Sequence, residues 1–278
     1  MSSVENSRAA VAYVSPAAIV SLAIAAVPLL FIIFTSLGGR ALSLDAFENL
    51  LSSTLFRRSL FTTIEISISA SLISLLLGYT VAVHLARQAP RQRAVYMVLV
   101  LLPFWTSILV KSYAFTVILG REGLINSLLS WGFGTHIALP MILNRFGVMV
   151  GMTNYLTPFI VFPVLASLLA IDPALYRAAD IMSARPMRIF FTITLPLSLP
   201  GIMAGVSSVM VMSLGFFIIP ALLGGRQDVM LANLVDFYTR ETLDWNMAAA
   251  IGVLLLVMVV LLSAPALWLR RNRLVGGA

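Results

Sequence analysis

The chain has 278 residues, of which 60% are hydrophobic and 10% charged, with a formal net charge of +7. Soluble globules carry about a quarter charged residues, so this composition excludes that class and leaves an integral membrane protein. Cysteine is absent, which excludes disulfides and thiolate metal sites.

Crossing a hydrocarbon core about 30 Å thick takes roughly 20 apolar residues. In chain order, uncharged runs cover residues 9–39, 66–86, 94–110 (continuing past Lys111 to 120), 146–171, 189–225 and 245–269. They predict an all-α membrane protein of six transmembrane helices, a single transmembrane domain over residues 1–278. Residues 1–8 hold one acid and one arginine, and the run that follows is too long for a secretory signal, so a retained first helix is expected.

With the N-terminus placed inside, the cytoplasmic segments hold Arg8, Arg87, Arg91, Arg93, Arg177, Arg185, Arg188, Arg270, Arg271 and Arg273 against the acids Glu5, Asp172 and Asp180. The opposite segments balance seven arginines with seven acids, Arg145 and Asp228 among them. Basic residues in short loops are retained on the cytoplasmic side, so both termini are predicted there. The positive charge therefore reports topology and anionic membrane lipid, and no nucleic acid partner is expected.

Small residues stripe two helices. Ser67, Ser71, Ser74 and Gly78 fall on one face of the second, and Gly201 and Gly205, extended by Ser208 and Gly215, on one face of the fifth. Such stripes allow close helix approach, within the subunit or to another. Prolines at 103, 158, 163, 196, 200 and 220 predict kinks or breaks. Lys111 and Glu65 are charges at helix positions. Lys111 is expected in the outer third of its span, snorkelling or structural, and Glu65 near the outer boundary, where it can face a cationic solute.

The single lysine lies within an apolar run, so no Walker A loop exists and this chain is not itself an ATPase. His84 and His136 lie far apart without metal-ligand spacing, and no GxSxG surrounds a serine. No catalytic residue, metal site or cofactor is expected.

Between the fourth and fifth runs lies DPALYRAADIMSARPMRIFFTITLPLSLPG, residues 172–201. Asp172 suits a helix N-cap and Pro173 the first turn, with Leu175, Ala178 or Ala179, and Met182 along one side. Small Ala178, Ala179, Ser183 and Ala184 offer a surface that another protein can approach closely. A new helical direction starts after Pro186 and is kinked at Pro196.

Here the chain resembles the Glu-Ala-Ala loop of bacterial ABC importer permeases, through Arg177-Ala178-Ala179, Ser183-Ala184, Phe190-Phe191 and Leu195-Pro196. Leu102-Pro103-Phe104-Trp105-Thr106-Ser107, Lys111, Tyr113, Gly123-Leu124-Ile125-Asn126, Pro196 to Gly201 and Leu222-Leu223-Gly224-Gly225 extend the resemblance to the first permease of spermidine/putrescine-type importers. It implies the type I permease fold in a bacterial inner membrane. It also implies a cytoplasmic coupling loop over residues 172–196, with Arg177, Ala178, Ala179, Asp180, Ser183, Ala184 and Pro186 facing a cytosolic ATPase dimer. A second permease and an extracytoplasmic solute-binding protein complete the implied assembly. Two positions depart from the pattern: Arg177 stands where the usual residue is Glu, and Ser183 where it is Gly. A cationic solute such as a polyamine is the expected cargo. Trp105, Tyr113, Tyr155 and Phe216 are candidates to line its path, and Glu65 is the candidate counter-charge. Another small solute, or an ion-coupled secondary transporter, is the alternative.

Overall fold

The structure is a computed structural model, with the backbone described over residues 2–275 and side chains over residues 15–40 and 42–263. The side chains of Glu5, Arg8, Arg270, Arg271 and Arg273, which enter the charge asymmetry, lie outside the described residues. Every regular element among the described residues is helical. In chain order these are α1 (Ser2–Ser36), α2 (Asp45–Ser52), α3 (Thr54–Ala86), α4 (Pro90–Leu101), α5 (Ile108–Ile118), α6 (Leu124–Phe133), α7 (Arg145–Leu169), α8 (Pro173–Ile181), α9 (Pro186–Ile189), α10 (Leu195–Leu214), α11 (Ile218–Leu223), α12 (Leu231–Arg240) and α13 (Trp245–Val275).

Five stretches are long and apolar enough to cross a membrane: α1, α3, α7, α9 through α10, and α13. The third predicted span is not a straight helix, because α4 and α5 meet at a bend of 91°. Pro103 supplies no N–H to the preceding turn, the chain tightens into a 3-10 turn at Leu102–Trp105, and Thr106 and Ser107 are extended before α5 starts. The depth of Lys111 therefore cannot be counted along one axis from Arg93. The fifth predicted span also divides, with α10 ending at Leu214 and the short α11 beginning at Ile218.

The chain forms two compact units, Met1–Phe56 with Leu234–Leu256, and Arg57–Asn233 with Val257–Ala278. In the first, α1 passes close to α13, where a Cβ added at Gly252 would lie 3.5 Å from the Ile32 side chain. Asp244 caps α13 by accepting the Met247 N–H at 3.0 Å.

The second unit is built around α7. Its core gathers Ile66 and Ala70 of α3, Val148, Met152, Leu156, Ile160 and Val164 of α7, and Val209 of α10, all fully buried. The small-residue stripes act here, inside one subunit. A Cβ at Gly78 would lie 2.8 Å from Ile160 Cβ, and one at Gly205 would lie 3.2 Å from Ile160 Cα, so Ile160 is held between α3 and α10. Ser67, Ser71 and Ser74 are buried on the same face of α3. The α10 stripe departs from the predicted one: Gly201, Gly205, Val209 and Ser213 are buried, whereas Ser208 and Gly215 are exposed. The contact follows the ridge of every fourth residue, which is how two helices interdigitate when their backbones approach closely.

Two further ties fix the unit. The Arg93 guanidinium donates to the carbonyls of Leu85, Ala86 and Gln88, closing the C-terminal end of α3. Tyr79 Oη and Ser198 Oγ hydrogen-bond at 3.1 Å between α3 and α10. Substituting Gly78→Val should overpack the Ile160 seat and cost about 1–3 kcal/mol. A lowered thermal midpoint in detergent, partly restored by a second change Ile160→Ala, is the expected result.

Candidate functional site

The segment over residues 172–196 is built as its residues dictate. Asp172 Oδ1 accepts the Ala174 N–H at 2.8 Å, and Pro173 opens α8. The helix closes with paired reverse bonds, Ala184 N–H to the Ala179 carbonyl at 3.0 Å and Ser183 N–H to the Asp180 carbonyl at 2.9 Å. This is a Schellman turn, and it requires a left-handed residue at Ser183, which has φ of 54°. The glycine usual at this position in the resembling loops thus has a backbone reason. Pro186 then starts α9, which runs through a π turn at Phe190–Thr194 into α10. The turn is closed by Leu195 N–H bonding the Phe190 carbonyl, just before Pro196, which has no N–H to give.

Arg177, Ala178, Asp180, Ser183 and Pro186 are exposed and Ala184 is half-buried. Ala179 is largely buried, and with Ala178, Ser183 and Ala184 it lines a groove of about 530 Å³ between α8 and α9. The segment also presents two large apolar side chains at its turn, Ile181 at 85% and Met182 at 81% exposure. Among the described residues none of Arg177, Arg185 and Arg188 forms an ion pair within 4 Å.

The predicted path residues separate into groups. Tyr155 and Phe216 meet edge to face with centroids 5.1 Å apart, but Phe216 is buried behind Tyr155. Trp105 and Tyr113 are exposed, at 72% and 68%. Around Tyr155 stand residues that sequence reasoning missed, Phe104 at 5.8 Å and Phe159 at 5.9 Å. Lys111 places its Nζ 5.0 Å from the Tyr155 ring centroid, a cation–π contact that fits the structural role expected for it. The signal for Phe159 was its spacing of four from Tyr155 on α7. Phe104 stood within a motif but carried no separate mark.

Glu65 lies near the start of α7, distant in sequence from these aromatics. Its Oε1 pairs with Arg145 Nη1 at 2.7 Å, while Arg145 Nε donates to Asp228 Oδ1 at 2.7 Å. Asp228 is buried, and its other oxygen accepts the Gly225 N–H at 3.1 Å. Nothing in the sequence joins Arg145 to a partner 83 residues away. A cavity of about 1040 Å³ runs along α7 beside this triad, mostly apolar but edged by Thr80, Thr153, Asn154 and Thr157.

Residues 74–272 match the family described as the binding-protein-dependent transport system inner membrane component. The chain belongs to this family. It is 31% identical over 222 residues, covering 80% of this chain and 77% of the relative, to the spermidine/putrescine transport system permease protein PotB of Haemophilus influenzae. The putative 2-aminoethylphosphonate transport system permease protein PhnU of Salmonella choleraesuis is 26% identical over 258 residues, covering 87% of this chain and 85% of that one. In fold the chain is similar to a chain of a bacterial alginate ABC transporter solved with an alginate-bound periplasmic protein, at a TM-score of 0.76, 20% identity and coverage of 95% and 94%. A chain of the inward-facing MetNI methionine ABC transporter matches at 0.57 and 19% identity, covering 78% of this chain and 95% of that one. The permease is thus the transmembrane subunit of an inner-membrane ABC importer with the type I fold, which removes the ion-coupled alternative.

Ser183 makes the turn testable. Left-handed backbone costs an L-residue about 1–2 kcal/mol, while glycine loses roughly 0.5–1 kcal/mol in chain entropy, so Ser183→Gly should leave the thermal midpoint within a few degrees of wild type. Ser183→Val, branched at Cβ, should lower it by several degrees.

Proposed function

We propose that this permease forms one half of the translocation path of an ATP-driven importer for a polyamine or related small cationic solute. In this reading α8 and α9 dock on a cytosolic ATPase dimer, a second permease supplies the other half, and an extracytoplasmic binding protein delivers the solute. The observation that carries it is the α8–α9 segment, a rigidly capped element whose apolar tip and unpaired arginines lie exposed at the far end of α7 from Arg145. An exposed apolar tip on a fixed turn fits a cleft in a partner, and the arginines fit an acidic rim. Both termini lie on the ATPase side, following the arginine asymmetry. The identity to PotB supports the cargo, as do aromatic faces at Trp105, Tyr113 and Tyr155, backed by Phe216, whereas the charge of Glu65 is already matched by Arg145.

A second reading has its own observation. Lys111 already occupies the face of Tyr155, so this seat pairs better with a solute bearing an anionic group, as in a zwitterion. The identity to PhnU is in keeping with it.

Reconstituted with its partners, the permease should take up solute only with ATP hydrolysis, and uptake driven by a proton or sodium gradient without ATP defeats the proposal. Arg177→Glu should weaken ATPase stimulation by roughly tenfold or more, since like-charge contacts cost several kcal/mol, and an acid-to-arginine change on the ATPase should restore it. Lys111→Met separates the two cargo readings. With a cationic solute KM falls or holds as the ring is freed, whereas with an anion-bearing solute KM rises by roughly tenfold, the scale of one lost charge-assisted contact.

A further inference from the structure

Arg145 lines two cavities at once. One is the long cavity along α7; the other is a polar cleft of about 470 Å³ shaped by Leu143, Asn144 and the turn from Gly225 to Asp228. No other described residue lines both. The guanidinium is held unequally by its two acids. On one side Asp228 is 6% exposed and fixed by the Gly225 N–H, so that contact is the firmer of the two. On the other side Glu65 is 65% exposed, so that pair is screened by solvent and readily broken. The cleft also contains Arg226, which leaves two arginines against two acids. With charges balanced, the arrangement obstructs passage and does not sort solutes by sign.

We propose that Arg145 is the gating residue between the cleft and the path, with Asp228 as its pivot and Glu65 as its latch. While the Glu65 pair holds, the guanidinium stands between the two spaces. When Glu65 lets go, the side chain turns about its Asp228 contact and joins the cleft to the cavity. Beyond the gate the cavity offers Asn154 and Thr157 on one face of α7. These groups suit the polar atoms of a small solute that has left water. The proposal rests on the reading of α8–α9 as the ATPase-facing end only for naming the cleft the outer side.

The absence of cysteine makes a direct test available. Single reporters Asn154→Cys in the cavity and Gln227→Cys in the cleft, in the assembled importer in sealed vesicles, are labelled with a membrane-impermeant thiol reagent. Glu65→Gln should speed labelling of the Asn154 reporter by about three- to fivefold, the shift expected from losing an exposed ion pair. Glu65→Asp should return it towards the parent rate, and the Gln227 reporter should react equally fast in all three backgrounds. An unchanged Asn154 rate, or equal acceleration at Gln227, overturns the gate. Where Asn154→Cys fails to assemble, Thr157→Cys reads the same cavity. Reaction of Gln227→Cys from the ATPase side alone refutes the assigned orientation, whereas a Glu65→Gln effect seen from that same side supports the gate.

Discussion

Close backbone approach at Ile160 is the contact on which the second unit depends. Lipid gives no hydrophobic drive to helix association, so α3 and α10 gain from α7 only through van der Waals fit and polar contact. Glycines 78, 201 and 205 supply that fit. It also answers for the prolines: Pro163 gives no N–H to the Phe159 carbonyl, and Gly205 packs beside that carbonyl, with its added Cβ position 3.5 Å from the oxygen. Protein covers the freed group where lipid would leave it bare, and α7 runs unbroken for 25 residues despite two internal prolines.

With α7 unbroken, the neighbouring chain absorbs the breaks. The α4–α5 bend and the α10–α11 interruption each place an aromatic residue, Phe104 and Phe216, against Tyr155. Irregular backbone within a membrane persists only where protein or a water-filled space accepts its polar groups. The break segments do so in part themselves, with Thr106 Oγ1 donating to the Pro103 carbonyl at 2.7 Å and the Phe216 N–H to the Ser213 carbonyl at 3.3 Å. Several sequence motifs prove to be fasteners of this layer. Asn126 bonds the Gly120 and Leu139 carbonyls and the Leu139 N–H, and Gly225 lies so close to the Leu143 carbonyl that no side chain fits.

What was legible in the sequence follows from how local each signal is. Hydropathy length marked the spans, and Asp172, Pro173 and Pro186 marked the helix starts of α8 and α9, since caps act within one turn. The bend at Leu102–Trp105 was visible as a proline, but its angle was not, because the angle depends on what α5 packs against. The burial of Ala179 and the end of the α10 stripe at Ser213 are likewise set by neighbours. Glu65 was legible as an anomalous charge. Its partner was not, since pairing across 80 residues is a product of the fold.

The placement of charge bears on what the permease contributes to selection. Near the start of α7 an arginine stands between two acids, and further along the helix Lys111 rests on the Tyr155 ring. Each charge is met by a partner within the chain, and each partnership leaves one exposed or polarisable face. Weak, shared contacts of this kind suit passage, since a path that binds its solute tightly also retains it. Within the proposed importer, strong recognition then belongs to the binding protein, which holds the solute before it enters the membrane. The permease is left to time its release, and that demands a firm α3–α7–α10 frame with breakable contacts at its ends.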